Sequence, residues 1–197
     1  MQVSVVEIRK LMSRALLSRK YHESDIDFII NMYLGGELRG HTSHGLASFP
    51  NFLNTDYSKF DDPVVLLETN SLFMIDAKAH SGVVVGKRAA DEAIIRAKKD
   101  CIGTAIIKNM DGWLRPGAIA QYIADQGFVA LVTNDGRSRA IAPPGGFEPT
   151  LSTNPIAYGL PTVKESLVVD LATSKRAWGQ VRLANKYGRD VPKDTFY

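Results

Sequence analysis

The sequence predicts an α/β protein: an N-terminal helical lobe over residues 1–55, then a mixed α/β domain over residues 56–197 that is not a Rossmann fold. Three observations carry that expectation. Apolar residues recur at helical spacing through residues 1–55. From residue 64 to residue 186, β-prone runs alternate with helical ones, the pattern of α/β layers. And no G-x-G-x-x-G segment, which shapes the phosphate turn of the Rossmann fold, occurs in the chain.

The elements follow in order. Ser4-x-x-Glu7 reads as a capping box, with Val3 and Ile8 at hydrophobic-staple positions. Val5, Ile8, Leu11, Met12, Ala15 and Leu16 then set one apolar stripe of a helix over residues 5–19. Ser24-Asp25 is expected to cap a second helix, with Ile26, Ile29, Ile30, Tyr33 and Leu34 on one side. Gly35-Gly36 is expected to weaken it, leaving Arg39–Gly45 as a polar loop between apolar segments. A short helix is expected near Leu46–Phe52, and a polar linker over 56–63 ends at Pro63.

The pattern then changes. Val64–Thr69 and Ser71–Asp76, separated by Asn70, read as a hairpin. A long helix over 80–99 is expected to stop at Gly103, before a strand at Thr104–Ile107. Pro116 suits the first turn of a helix running to about Gln126, which Gly127 ends. Phe128–Thr133 reads as a strand and Asn134-Asp135-Gly136 as a turn. After the Pro143–Gly146 stretch come Asn154–Tyr158, a strand over Ser166–Asp170 and a helix from about Ser174 to Lys186.

Composition narrows the function classes. The chain is 45% hydrophobic and 23% charged, a globular balance. A net charge of +3 with mixed signs, and no basic run interleaved with aromatics, argues against nucleic acid. No apolar run approaches the roughly 18 residues of a membrane helix. The single cysteine, Cys101, permits no internal disulfide and is expected to be half-buried and structural. The basic residues near the N-terminus lie in a well-capped helical pattern rather than in a transit peptide. A cytoplasmic protein is expected.

Two motifs fail on inspection. Gly82–Lys87 is one residue short of a phosphate loop, and Arg88 stands where a magnesium-binding hydroxyl belongs. His41-x-x-His44 offers two imidazoles, but a zinc site needs further ligands and nothing brings His22 or His80 to them. No metal is expected.

Four other segments survive: Leu38-Arg39-Gly40-His41-Thr42-Ser43-His44-Gly45, Ala142-Pro143-Pro144-Gly145-Gly146, Ser152-Thr153-Asn154-Pro155-Ile156-Ala157 and Val168-Val169-Asp170-Leu171-Ala172-Thr173-Ser174. In order and spacing they resemble the malate/L-lactate dehydrogenase family, over residues 1 to about 194. The resemblance implies NADH or NADPH as cofactor, a fold of the family's own and a homodimer. It makes His44 the proton donor or acceptor at the substrate's carbonyl or hydroxyl carbon, with Ser43 orienting the imidazole or the substrate. The chemistry agrees: hydride transfer builds charge on oxygen, and histidine is the side chain best poised near neutral pH to supply a proton. By the same resemblance Asp170, Leu171, Ala172, Thr173 and Ser174 line the nicotinamide site. Thr153 and Asn154 match a conformationally special turn, with structural and cofactor roles both open. Helix capping is the competing role for Asp170 and Ser174.

The sequence departs from the family pattern in three places. Ser48 stands where an arginine usually grips the substrate carboxylate; Arg39 or Arg115 is a possible replacement. Gly112 stands where a second histidine is usual, flanked by Asp111 and Trp113. The resemblance also ends well short of the family's length, so a second polypeptide supplying a C-terminal half is an expected partner. The expected activity is NAD(P)H-dependent oxidoreduction of a small 2-oxo acid, 2-hydroxy acid or cyclic imine, with Ser48 and Arg39 at the substrate. Two alternatives stay open at this point. One is a cofactor-independent enzyme reusing Ser43 and His44 for acid–base chemistry; the other is a catalytically silent assembly or binding protein.

Overall fold

A computed structural model describes residues 3–137, 139–174, 181 and 184–190. The chain forms two compact units, residues 1–118 and 119–197. The helices of residues 1–55 belong to the first unit, together with the first sheet.

In the first unit α1 spans Val5–Ser18. Its capping box is formed in both directions: the Ser4 hydroxyl accepts from the Glu7 amide and the Glu7 carboxylate accepts from the Ser4 amide. Hydrogen bonds from the Ser4 hydroxyl and, second, from its amide hold the Glu7 carboxyl below its usual range. α2 spans Glu23–Leu38, and His22 rather than Ser24 is its N-cap. The helix runs straight through Gly35-Gly36, where a weakening was expected. The physical reason is packing: a Cβ on Gly36 would lie 2.4 Å from the His44 carbonyl oxygen, so the glycine admits a neighbouring backbone. Ile29, Ile30, Met32, Tyr33 and Leu34 are buried, and Tyr33 meets Phe49 edge-on at 5.2 Å. Phe49 and Phe52 come from α3, Phe49–Asn54.

β1 (Val64–Glu68) and β2 (Leu72–Asp76) form the expected hairpin, with an irregularity between Val65 and Leu67. α4 (Gly82–Asp100) crosses over to β3 (Thr104–Lys108), which pairs parallel with β2. Sheet order is β1-β2-β3, with Phe73, Ile75, Ala77 and Val85 at its core. α4 is not ended by Gly103. Cys101 caps it in the left-handed region at φ 67, and it is exposed rather than half-buried. Gly103 serves packing instead, since a Cβ there would lie 1.9 Å from the Ala93 carbonyl oxygen.

α5 spans Pro116–Ala124, and its residues from Ile119 onward belong to the second unit. There β4 (Ala130–Thr133), β5 (Ile156–Leu160) and β6 (Leu167–Leu171) form an antiparallel sheet in that order. Gly159 lets β5 press on α5: a Cβ would lie 2.2 Å from the Ala120 carbonyl oxygen. Residues 134–136 are irregular rather than a tight turn, because the Gly136 backbone is drawn against the Ser152 side chain and its amide donates to Asn154 Oδ1. Most of the helix expected over 174–186 lies outside the described residues. The architecture is mixed α/β with two small sheets. Its single parallel crossover, among the described residues, does not extend to a doubly wound sheet.

Candidate functional site

The predicted residues fall into two clusters, one in each unit. In the first, the segment after α2 is not a loose loop but two successive 3₁₀ turns, Thr42–His44 and Leu46–Ser48. The His41 amide donates to Gly36 O at 2.9 Å, bending the chain back onto α2. The Glu37 carboxylate accepts from the Leu46 amide at 3.0 Å, pinning the far end. Gly45 must lack a side chain there, because a Cβ would sit 2.5 Å from Glu37 Oε2. Between these anchors, Ser43 Oγ lies 2.8 Å from His44 Nδ1, both residues partly buried.

The two residues expected at the substrate take local partners. The Ser48 hydroxyl donates to Gly45 O at 2.8 Å, closing the second turn. Arg39 is exposed, and its Nη1 donates to Gly35 O at 3.0 Å. Arg115 is buried, and its Nη2 donates to Met32 O at 3.4 Å. A Cβ placed on Gly35 would meet Arg39 Nη1 at 3.1 Å and Arg115 Nη2 at 3.4 Å, so two guanidinium groups converge on one glycine. A Cβ on Gly36 would meet both the His44 carbonyl and Arg115 Nε, at 2.4 and 3.4 Å. Arg115 therefore lies beside the His44 backbone, which sequence spacing did not show.

Sequence reading gave Gly36 and Glu37 no part in placing His44. A glycine pair inside an otherwise helical pattern is the signal available for the first. It also did not join Tyr57, His80 and Asp111. The Tyr57 hydroxyl donates to Asp111 Oδ2 at 3.3 Å, and the Tyr57 and His80 rings stack at 5.9 Å. Burial and the neighbouring Asp111 charge raise the Tyr57 phenol above its ordinary value. Among the described residues, no group of three or more His, Cys, Asp or Glu side chains is placed to hold a metal.

The second cluster joins two of the surviving motifs. Thr173 donates through its amide to Thr153 O at 3.1 Å, and its hydroxyl lies 3.0 Å from Asn154 O. Asn154 has φ 36, a left-handed backbone that asparagine tolerates better than most residues. Its Oδ1 accepts from the Gly136 amide at 3.3 Å. Asp170 and Leu171 are the last residues of β6, paired in register with Ala157 and Ile156. Ala172 and Ser174 are partly buried beyond the strand end. Asn134, two residues before Gly136, carries a buried Oδ1 with no hydrogen-bond partner among the described residues.

Fold and clusters together define an α/β protein outside the Rossmann class, with a Ser–His pair lodged against a glycine-bearing helix. A family model described as malate/L-lactate dehydrogenase matches residues 3–197. The chain belongs to that family. It is 29% identical to the L-sulfolactate dehydrogenase of Methanothermobacter thermautotrophicus, over 98% of this chain and 58% of that protein. The structure of malate dehydrogenase from Pyrococcus horikoshii superposes with a TM-score of 0.83 at 28% identity, over 92% of this chain and 53% of that one. The delta1-piperideine-2-carboxylate reductase of Pseudomonas syringae superposes at 0.78 and 27%, over 98% and 59%. The chain thus spans little more than half the length of these relatives. Among the described residues, no helix is long and apolar enough to cross a membrane.

Proposed function

We propose that this chain carries the proton-transfer part of an NAD(P)H-dependent oxidoreductase acting on a small 2-oxo acid, its 2-hydroxy acid, or a cyclic imine. The observation that carries this reading is the 2.8 Å approach of Ser43 Oγ to His44 Nδ1 in an anchored turn. With the hydroxyl donating, Nδ1 of the neutral ring is the acceptor and the proton sits on Nε2. His44 then offers a fixed N–H to an oxygen or nitrogen gaining negative charge, and takes the proton back in the reverse direction. Membership in a family with sulfolactate and malate dehydrogenases and an imino-acid reductase among its relatives supports this chemistry.

The substrate's carboxylate needs a cation. Arg39, whose guanidinium converges with that of Arg115 on Gly35, is the residue assigned to it, with Ser48 in the adjoining turn. The second cluster suits a nicotinamide amide. The unpartnered Asn134 Oδ1 is a buried acceptor, and Asn154 has its Oδ1 engaged, which turns its amino group to the other side. Thr153, Asn154 and the Asp170–Ser174 segment would hold the cofactor, Thr173 by fixing the Thr153–Asn154 backbone. When bound, the cofactor supplies the hydride.

The test is a panel of 2-oxo acids and cyclic imines with NADH and NADPH, together with His44→Ala. That variant is expected to lose about 10²- to 10⁴-fold in kcat, the usual worth of a positioned acid or base, with cofactor affinity retained. Full activity in His44→Ala would remove histidine from the reaction. Absence of binding for either nicotinamide, with the rest of the family's length supplied, would remove the cofactor.

A further inference from the structure

We propose that the outer face of the β4-β5-β6 sheet is the docking surface for the part of the family's length that this chain does not span. Side chains alternate across a strand, so each strand has two faces. On the inner face Ala130, Val132, Ala157 and Gly159 are buried, with α5 against β5. On the outer face Leu131, Tyr158 and Val169 stand directly opposite one another in register, as do Leu160 and Leu167. With Leu171 these six residues are 39–64% exposed. Only Thr133 interrupts the apolar grid.

An antiparallel sheet that faces water reads as alternating apolar and polar residues. Apart from Thr133 on the outer face and Asp170 on the inner one, the strands Ala-Leu-Val-Thr, Ile-Ala-Tyr-Gly-Leu and Leu-Val-Val-Asp-Leu carry apolar residues or glycine on both sides. Such strands belong between two layers. The exposed grid amounts to several hundred Å², at or above the largest patch on a typical soluble monomer.

The relatives indicate the missing layer. They share this chain's fold over 92% of it and more, yet the chain covers only 53–59% of them. Nearly half of each relative's polypeptide is therefore available to cover surfaces that the matched portion leaves bare. A second copy of this chain is the weaker occupant. Three strands of four or five residues give less than the roughly 800 Å² per partner of a stable interface. The occupant is thus an apolar-faced segment homologous to the relatives' unmatched portion, joined to this chain or carried on another.

The experiment is to purify the tagged protein from the cells that make it, measure the mass of the native particle, and sequence every polypeptide in it. The expected particle contains a stretch that aligns with the relatives' unmatched portion. Leu131→Glu with Val169→Glu is expected to release that stretch, or to lose its hydrogen-exchange protection where it is part of the same polypeptide, while Trp113 fluorescence reports a folded first unit. A monomer of this chain alone overturns the proposal. So does a homo-oligomer that the double variant dissociates, or a partner unrelated to the family. The mass and sequence of the unaltered particle decide the matter even where the double variant fails to fold, and neither depends on catalysis.

Discussion

In the first unit the Ser43–His44 turn is held through backbone proximity. Gly36 leaves room for the His44 carbonyl, Gly45 leaves room for Glu37, and Ser43 Oγ lies 2.8 Å from the imidazole Nδ1. In the second unit Thr153, Asn154 and Thr173 are held by hydrogen bonds in which Thr173's own hydroxyl and amide take part. The turn that carries His44, the proposed proton donor, is thus supported from behind by the backbone of α2. The second cluster is held by its own polar atoms. Substitutions therefore act differently on the two: steric changes injure the first, polar deletions the second.

The largest expected difference is alkaline. Burial raises the phenols of Tyr21, Tyr33 and Tyr57, all in the first unit, and Tyr21 is pushed from 10.0 up to about 12. Unfolded tyrosines lose their protons near pH 10 while the folded ones keep theirs, so unfolding releases protons in that window. The stability these phenols confer is complete below pH 10 and is lost as pH rises towards 12. Trp113 fluorescence, in a Trp178→Phe background, should show the urea midpoint of the first unit falling across that range. A flat midpoint would mean that the tyrosines ionise without opening the aromatic cluster.

Next in size is Gly36→Ala. The added methyl falls 2.4 Å from the His44 carbonyl oxygen, and the turn must shift. Overpacking of this kind costs about 1–3 kcal/mol. Denaturation should show that loss, and kcat should fall with it. Unchanged kcat would show that His44 does not depend on this contact. Thr173→Val removes a hydroxyl donor from an exposed position, a loss at or below about 1 kcal/mol. Its readout is nicotinamide affinity, which should weaken while the His44-dependent step is unaffected. Ser48→Ala should cost at or below about 1 kcal/mol, because Ser48 closes one short, partly buried turn through a single hydrogen bond. The informative counterpart is Ser48→Arg, which places the family's usual carboxylate anchor and should lower KM for an acidic substrate.

Much of this arrangement was legible from residues alone. The capping box at Ser4 and Glu7, the hairpin from Val64 to Asp76 and the strand–helix–strand crossover follow from local patterns, and local patterns formed them. The family was legible because four short motifs keep their order. Glycine function was not. Gly35-Gly36 reads as a helix weakness and Gly103 as a helix stop, but Gly36 answers to the His44 backbone and Gly103 to the Ala93 backbone, contacts that helical periodicity does not reveal. The same limit hid Arg115 beside His44 and Tyr57 against Asp111, since pairs 54 and more residues apart leave no trace in periodicity. Cys101 is exposed and holds a left-handed cap, a position usually given to glycine, which no spacing rule would assign to cysteine.

The unbroken course of α2 past Gly36 makes that helix a gauge. Each residue turns a helix by about 100°, so one residue inserted or deleted between His22 and Gly35 would swing the glycine notch away from the His44 carbonyl. Two full turns, about seven residues, would restore the facing. The length of α2 is restricted to steps that bring the notch back around.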